Sequence, residues 1–92
     1  MVDDNILIKA SYVEMSGKRV KVLNCLQDDD VKIPRDIAKE TNVLPNHISK
    51  VLRELKDKEL LECINEEARK GRLYRLTPLG KEVREYIANK RG

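Results

Sequence analysis

The apolar positions of this chain change period several times, and each change marks an element. Between Ser16 and Gln27, Val20, Val22, Leu23 and Leu26 supply one buried side, and Ser16 stands where an N-cap belongs, so a helix is expected there. From Ile33 to Leu60 the pattern predicts two short helices crossing around a tight turn. Pro34 sits at a first-turn position, where its missing N–H costs nothing. Ile37 and Ala38 face inward, Ala38 being small where two helices must cross closely. Asn42 tolerates the left-handed conformation that ends a helix, which places the stop near Thr41. Pro45 restarts a helix, and Ile48, Val51, Leu52 and Leu55 follow at the spacing of one apolar stripe.

Beyond Leu60 the period shortens. Leu60, Leu61, Cys63 and Ile64 read as a strand, residues 65–71 (NEEARKG) as a charged loop, and residues 72–76 as an alternating return strand, which together make a hairpin. Val31 to Ile33 is a short extended piece able to pair with that hairpin as a third strand. Thr77 and Pro78 supply an N-cap and a first-turn proline for a last helix with Leu79, Val83, Tyr86 and Ile87 on one side, fraying by Lys90. In residues 1–15, the apolar Ile6, Leu7, Ile8, Tyr12 and Val13 have a period ambiguous between helix and strand, so this segment is expected to be an N-terminal arm or a helical extension.

Composition narrows the class. A chain of 92 residues is expected to form one domain with a modest core. With three tyrosines and no Phe or Trp, that core must be aliphatic, which argues against a large ring-lined ligand cavity. Charged residues reach 38%, yet apolar ones still reach 40%, so the body of the chain should be ordered. The net charge of +3 is uneven. Residues 1–44 hold seven Lys or Arg against eight acids, and residues 45–92 hold twelve against eight. The positive half is the one with the second crossing helix and the hairpin, the footprint of a nucleic-acid binder.

Cys25 and Cys63 lie apart in apolar-patterned segments with no CxxC and no His/Cys cluster, so neither a zinc site nor a disulfide framework is expected, and both read as structural thiols. The run Asp28, Asp29, Asp30 lacks the spacing of a calcium loop and reads as a solvated turn. One histidine, no thiol beside a base and no glycine-rich phosphate loop leave little to run chemistry with, so no enzyme and no cofactor is expected. The start has no basic segment followed by an apolar one and no stretch approaches membrane-spanning length, which makes the cytoplasm the expected compartment.

The second crossing helix carries the candidate chemistry. Its polar face holds Asn46, His47, Ser49, Lys50 and Arg53, side chains able to meet base edges in the DNA major groove. His47 either joins those contacts or hydrogen-bonds locally in the turn. Arg35, Arg69, Lys70 and Arg72 are candidates for phosphate contacts, with Gly71 permitting the turn of the hairpin tip.

Ala38, Asn42 and Ile48, with Ile37, Val43 and Val51 among them, match the spacing of the helix-turn-helix motif, with Asn42 where glycine is commonest. The chain from about Ser16 onward, including LLECINEEARKGRLYRLTPLGKEV over residues 60–83, resembles the small archaeal-type winged helix-turn-helix transcription regulators of ArsR or MarR type. That resemblance implies a mostly α, α+β winged helix-turn-helix domain with a small antiparallel β-hairpin wing. It further implies a sequence-selective regulator of double-stranded DNA, with a recognition helix over about residues 45–58 and a wing at 65–72 on the phosphate backbone. Metal sensing, common among ArsR-type relatives, finds no ligand cluster here. The alternative function is a winged-helix protein-interaction module without DNA binding. A homodimer is expected, because two copies double the contacts of a single small module. Its interface would come from Ile6, Ile8 and Tyr12, from Val83, Tyr86 and Ile87, or from both.

Overall fold

The computed structural model describes residues 3–27 and 29–91. Among these, the chain runs through α1 (Asp4–Glu14), α2 (Gly17–Cys25), α3 (Pro34–Thr41), α4 (Pro45–Asp57), β1 (Leu61–Cys63), β2 (Tyr74–Leu76) and α5 (Pro78–Arg91). A helix-turn-helix made by α3 and α4, followed by an antiparallel hairpin, defines a winged helix-turn-helix fold.

Local chemistry sets most of the boundaries. The Asp3 carboxylate accepts the Asn5 N–H at 2.9 Å, and Ser16 Oγ accepts the Arg19 N–H at 3.4 Å. The segment whose period was ambiguous is therefore a capped helix. Its apolar residues divide, with Ala10 and Val13 buried while Leu7 and Ile8 stay exposed. Helix α2 ends at Cys25, two residues short of Gln27, because Leu26 turns extended and the Asp30 carboxylate takes the Gln27 N–H at 3.0 Å. Asp28, the first of the acidic run, lies outside the described residues.

Asn42 ends α3 in the left-handed region at φ 59°, with the Ala38 carbonyl accepting from Asn42 and, at 3.2 Å, from Val43. Helix α4 ends the same way on a residue less suited to it. Glu59 has φ 63°, and the bonds Glu59 N–H to Lys56 O (2.9 Å) and Leu60 N–H to Leu55 O (3.0 Å) close a Schellman motif. Thr77 Oγ1 accepts the Gly80 N–H at 2.9 Å and donates to Glu59 O at 2.6 Å, which fixes the start of α5 against the end of α4. Helix α5 holds to Arg91 rather than fraying by Lys90, and the Lys90 ammonium reaches Glu14 of α1 at 3.0 Å.

Val13, Val22, Leu23, Leu26, Ile37, Ile48, Leu52, Leu55, Leu60, Leu61 and Val83 form the aliphatic centre. Each contributes about 1.5–3 kcal/mol through burial. Gly80 is obligatory where α5 crosses the end of α4, since a Cβ there would stand 2.0 Å from Leu60 O. Val83 and Ile87, two of the side chains nominated for a dimer surface, are buried in this core, and Tyr12 is half-buried.

The hairpin pairs Leu61 with Leu76, Glu62 with Arg75 and Cys63 with Tyr74. The expected third strand is a single bridge, Lys32 to Tyr74, with bonds of 3.0 and 2.9 Å. It extends no further because Ile33 is already the N-cap of α3, and the Lys32 ammonium is held by Cys25 O and Glu40, both at 2.7 Å. The strands are short because the Asn65 side chain takes over from the ladder. Its Oδ1 accepts the Leu73 N–H at 2.7 Å and its Nδ2 donates to Gly71 O at 3.2 Å, while Gly71 itself has φ +66°.

Candidate nucleic-acid interface

Burial of Ile48, Val51, Leu52 and Leu55 leaves α4 with an exposed ridge of Asn46, Ser49, Lys50 and Arg53. The first turn of this helix contains no acid, and its N-cap, Leu44, provides no side-chain hydrogen bond. The positive end of the helix dipole is thus uncompensated, an arrangement that favours an anion.

Two clefts flank the ridge. The larger, about 580 Å³, lies between α4 and the wing. Pro34, Leu52 and Tyr74 supply its apolar surface, and Ser49, Arg53, Lys56, Arg69 and Arg72 bring hydroxyl and cationic groups, with Asp57 the one acid in the lining. Arg72 Nε donates to Ala68 O at 2.8 Å, which holds the loop in shape. Lys56 pairs with Glu66, tying the wing to the last turn of α4. Their hydrogen bond raises Lys56 above its ordinary value and lowers Glu66 below its own. Lys70 is exposed in the loop but does not line this cleft.

On the other flank, His47 and Lys50 share a smaller cleft with Ser16, Lys18, Arg19 and Glu54. The Lys18 ammonium donates to His47 Nδ1 at 2.9 Å, which leaves the ring proton on Nε2. Arg19, its neighbour, points inward. It grips Glu54 with two bonds of 3.3 and 3.2 Å, donates to Tyr12 O at 2.8 Å, and stacks 3.9 Å from the Tyr12 ring centroid. A shallow third cleft, lined by Arg35, Lys39, Val43, Leu44 and Pro45 among others, covers the turn between α3 and α4.

The residues singled out from sequence are therefore distributed. Ser49, Arg53, Arg69 and Arg72 meet around one cleft, His47 and Lys50 around a second, and Arg35 stands at a third, while Asn46 and Lys70 project to solvent. Sequence reading missed Lys18. A signal was present: Lys18 and Arg19 open α2 with no acid in its first turn, against the preference of a helix start for negative charge.

Among the described residues no group of three His, Cys, Asp or Glu side chains is placed to hold a metal. Burial pushes the Cys25 thiol up, partly offset by Lys32, which suits a packed thiol rather than a reactive one. No described helix is long and apolar enough to cross a membrane.

Neither a protein-family model nor a curated sequence matches the chain. Its fold is similar to a solved structure of BpsR from Bordetella bronchiseptica, a protein whose DNA binding is regulated by 6-hydroxynicotinic acid. The TM-score is 0.73 at 25% identity, over 80% of this chain and 57% of that one. The chain thus spans a little over half the length of that neighbour.

Proposed function

We propose that the chain is a sequence-selective double-stranded DNA-binding regulator of transcription, acting in the cytoplasm as one winged-helix domain of the ArsR/MarR-like kind. The observation that carries this reading is the cleft joining Ser49 and Arg53 of α4 to Arg69 and Arg72 of the wing. A backbone phosphate seated there would place α4 in the adjoining major groove, with Asn46, Ser49, Lys50 and Arg53 toward base edges. Lys18 and His47 would hold a phosphate on the opposite flank, with Arg35 and Lys70 at the margins. The fold's similarity to BpsR supports the reading, since that protein binds DNA.

The wing and the helix are separable in a titration over several salt concentrations. Arg69→Ala with Lys70→Ala weakens all duplexes alike and lowers the slope of log affinity against log salt by about one unit per lost phosphate contact. Asn46→Ala costs about 1–3 kcal/mol on a preferred duplex and less on unrelated DNA. If both variants bind as the parent does at low salt, the cationic face is only solvated surface and the protein-interaction module takes its place.

In this reading two copies act together, bringing paired α4 helices to half-sites. With Val83 and Ile87 committed to the core, the surface left for a second copy is the α1 face bearing Leu7 and Ile8, the latter 68% exposed. A monomer mass in sedimentation at high protein concentration removes the dimer.

A further inference from the structure

Leu44 combines two unfavourable features at one position. It is a large aliphatic side chain left 61% exposed, and it occupies the N-cap of α4, where Ser, Thr, Asp or Asn would stabilise the helix. The capping geometry does not require leucine. The backbone carbonyl of Leu44 accepts the N–H groups of His47 at 2.9 Å and Ile48 at 3.0 Å whatever the side chain. Leu44 instead lines the shallow cleft together with Val43 and Pro45, and Arg35 and Lys39 bring two cations to the same lining. Asn46 follows in the exposed first turn of the same helix.

An apolar protein surface laid on this patch would bury Arg35 and Lys39 without partners, at a cost in desolvation. A duplex fits both features. Its phosphates neutralise the two cations, and the apolar group that protrudes among the base edges of the major groove is the 5-methyl of thymine. We infer that Leu44 reads a thymine 5-methyl group at the edge of the site bound by α4. This rests on the DNA-binding function proposed above and deepens it, adding selectivity at a position where the helix offers no hydrogen-bonding side chain.

The test begins with a preferred duplex enriched from a random pool by the full chain. Each thymine is then replaced in turn by deoxyuridine, which removes the methyl and keeps every hydrogen-bonding group. At one position the replacement weakens the parent chain about fourfold, the effect of exposing roughly one buried methyl. Leu44→Ala binds the thymine duplex about as weakly and no longer distinguishes thymine from uracil there, whereas Leu44→Met does. Leu44→Ser loses the distinction while raising the unfolding midpoint by about a few degrees, so misfolding cannot account for the loss. The inference is overturned if the parent is indifferent to uracil at every position, or if Leu44→Ala keeps the discrimination. In either case the preferred duplex still stands and DNA binding survives. Failure to retain any duplex from the pool overturns DNA binding itself, and the inference with it.

Discussion

Helices α2 and α5 begin on hydroxyls, Ser16 and Thr77, that accept a first-turn N–H, whereas α3 and α4 begin on Ile33 and Leu44, whose side chains accept nothing. A cap of the first kind contributes about 0.5–2 kcal/mol. Its absence at the start of both helices of the helix-turn-helix means that these two helices are held by packing rather than by side-chain caps. The same division runs between chain neighbours. Lys18 reaches outward to His47, and Arg19 turns inward to Glu54 and Tyr12.

Three measurements sharpen that contrast. The largest effect belongs to the secured side. Gly80→Ala drives a Cβ into Leu60 O and should cost about 2–3 kcal/mol in urea unfolding, with the DNA affinity of the folded fraction unchanged. The neighbours at 18 and 19 come next. Arg19→Ala leaves Glu54 and Tyr12 O without their donor and should lose about 1–3 kcal/mol of stability. Lys18→Ala should leave stability within about 0.5 kcal/mol while reducing the salt slope of DNA binding by about one unit. Equal losses of stability from both substitutions would erase the distinction.

The smallest effect is a titration. The Glu66 carboxyl, lowered from its ordinary 4.5 by Lys56, contributes its pairing above that value and loses it as the pH falls through the lower folded value. In Lys56→Met the carboxyl should return toward 4.5, as followed by NMR of the side chain.

What was legible in the sequence was local. The caps at Ser16 and Thr77, the left-handed Asn42, the proline starts and the stripe of α4 each depend on residues within a turn of one another, so spacing alone reveals them. What was hidden depends on distant parts of the chain. Lys18 meets His47 across 29 positions. The third strand shrank to one bridge because Lys32 and Ile33 were already committed to other partners. Glu59 carries no mark of a left-handed residue, and only the Schellman bonds around it explain its conformation. Of the candidate site, the ridge on α4 could be read from periodicity, but its division between two clefts could not. That division follows from where the wing and α2 are packed.

The junction at the base of the hairpin has a consequence for how such a domain can change over generations. Thr77 bonds Glu59 through its hydroxyl and Leu60 through its N–H at 3.1 Å, so the chain entering the hairpin and the chain leaving it are fastened together before the loop begins. The exposed loop between the strands can be lengthened or rewritten with little disturbance to the core, although Leu61, Tyr74 and Leu76 of the strands themselves are buried in it, because lengthening an already closed loop by a few residues costs well under about 1 kcal/mol. The wing is thereby an evolvable appendage, able to drift in length and charge toward new ligands while the helices that carry it stay as they are.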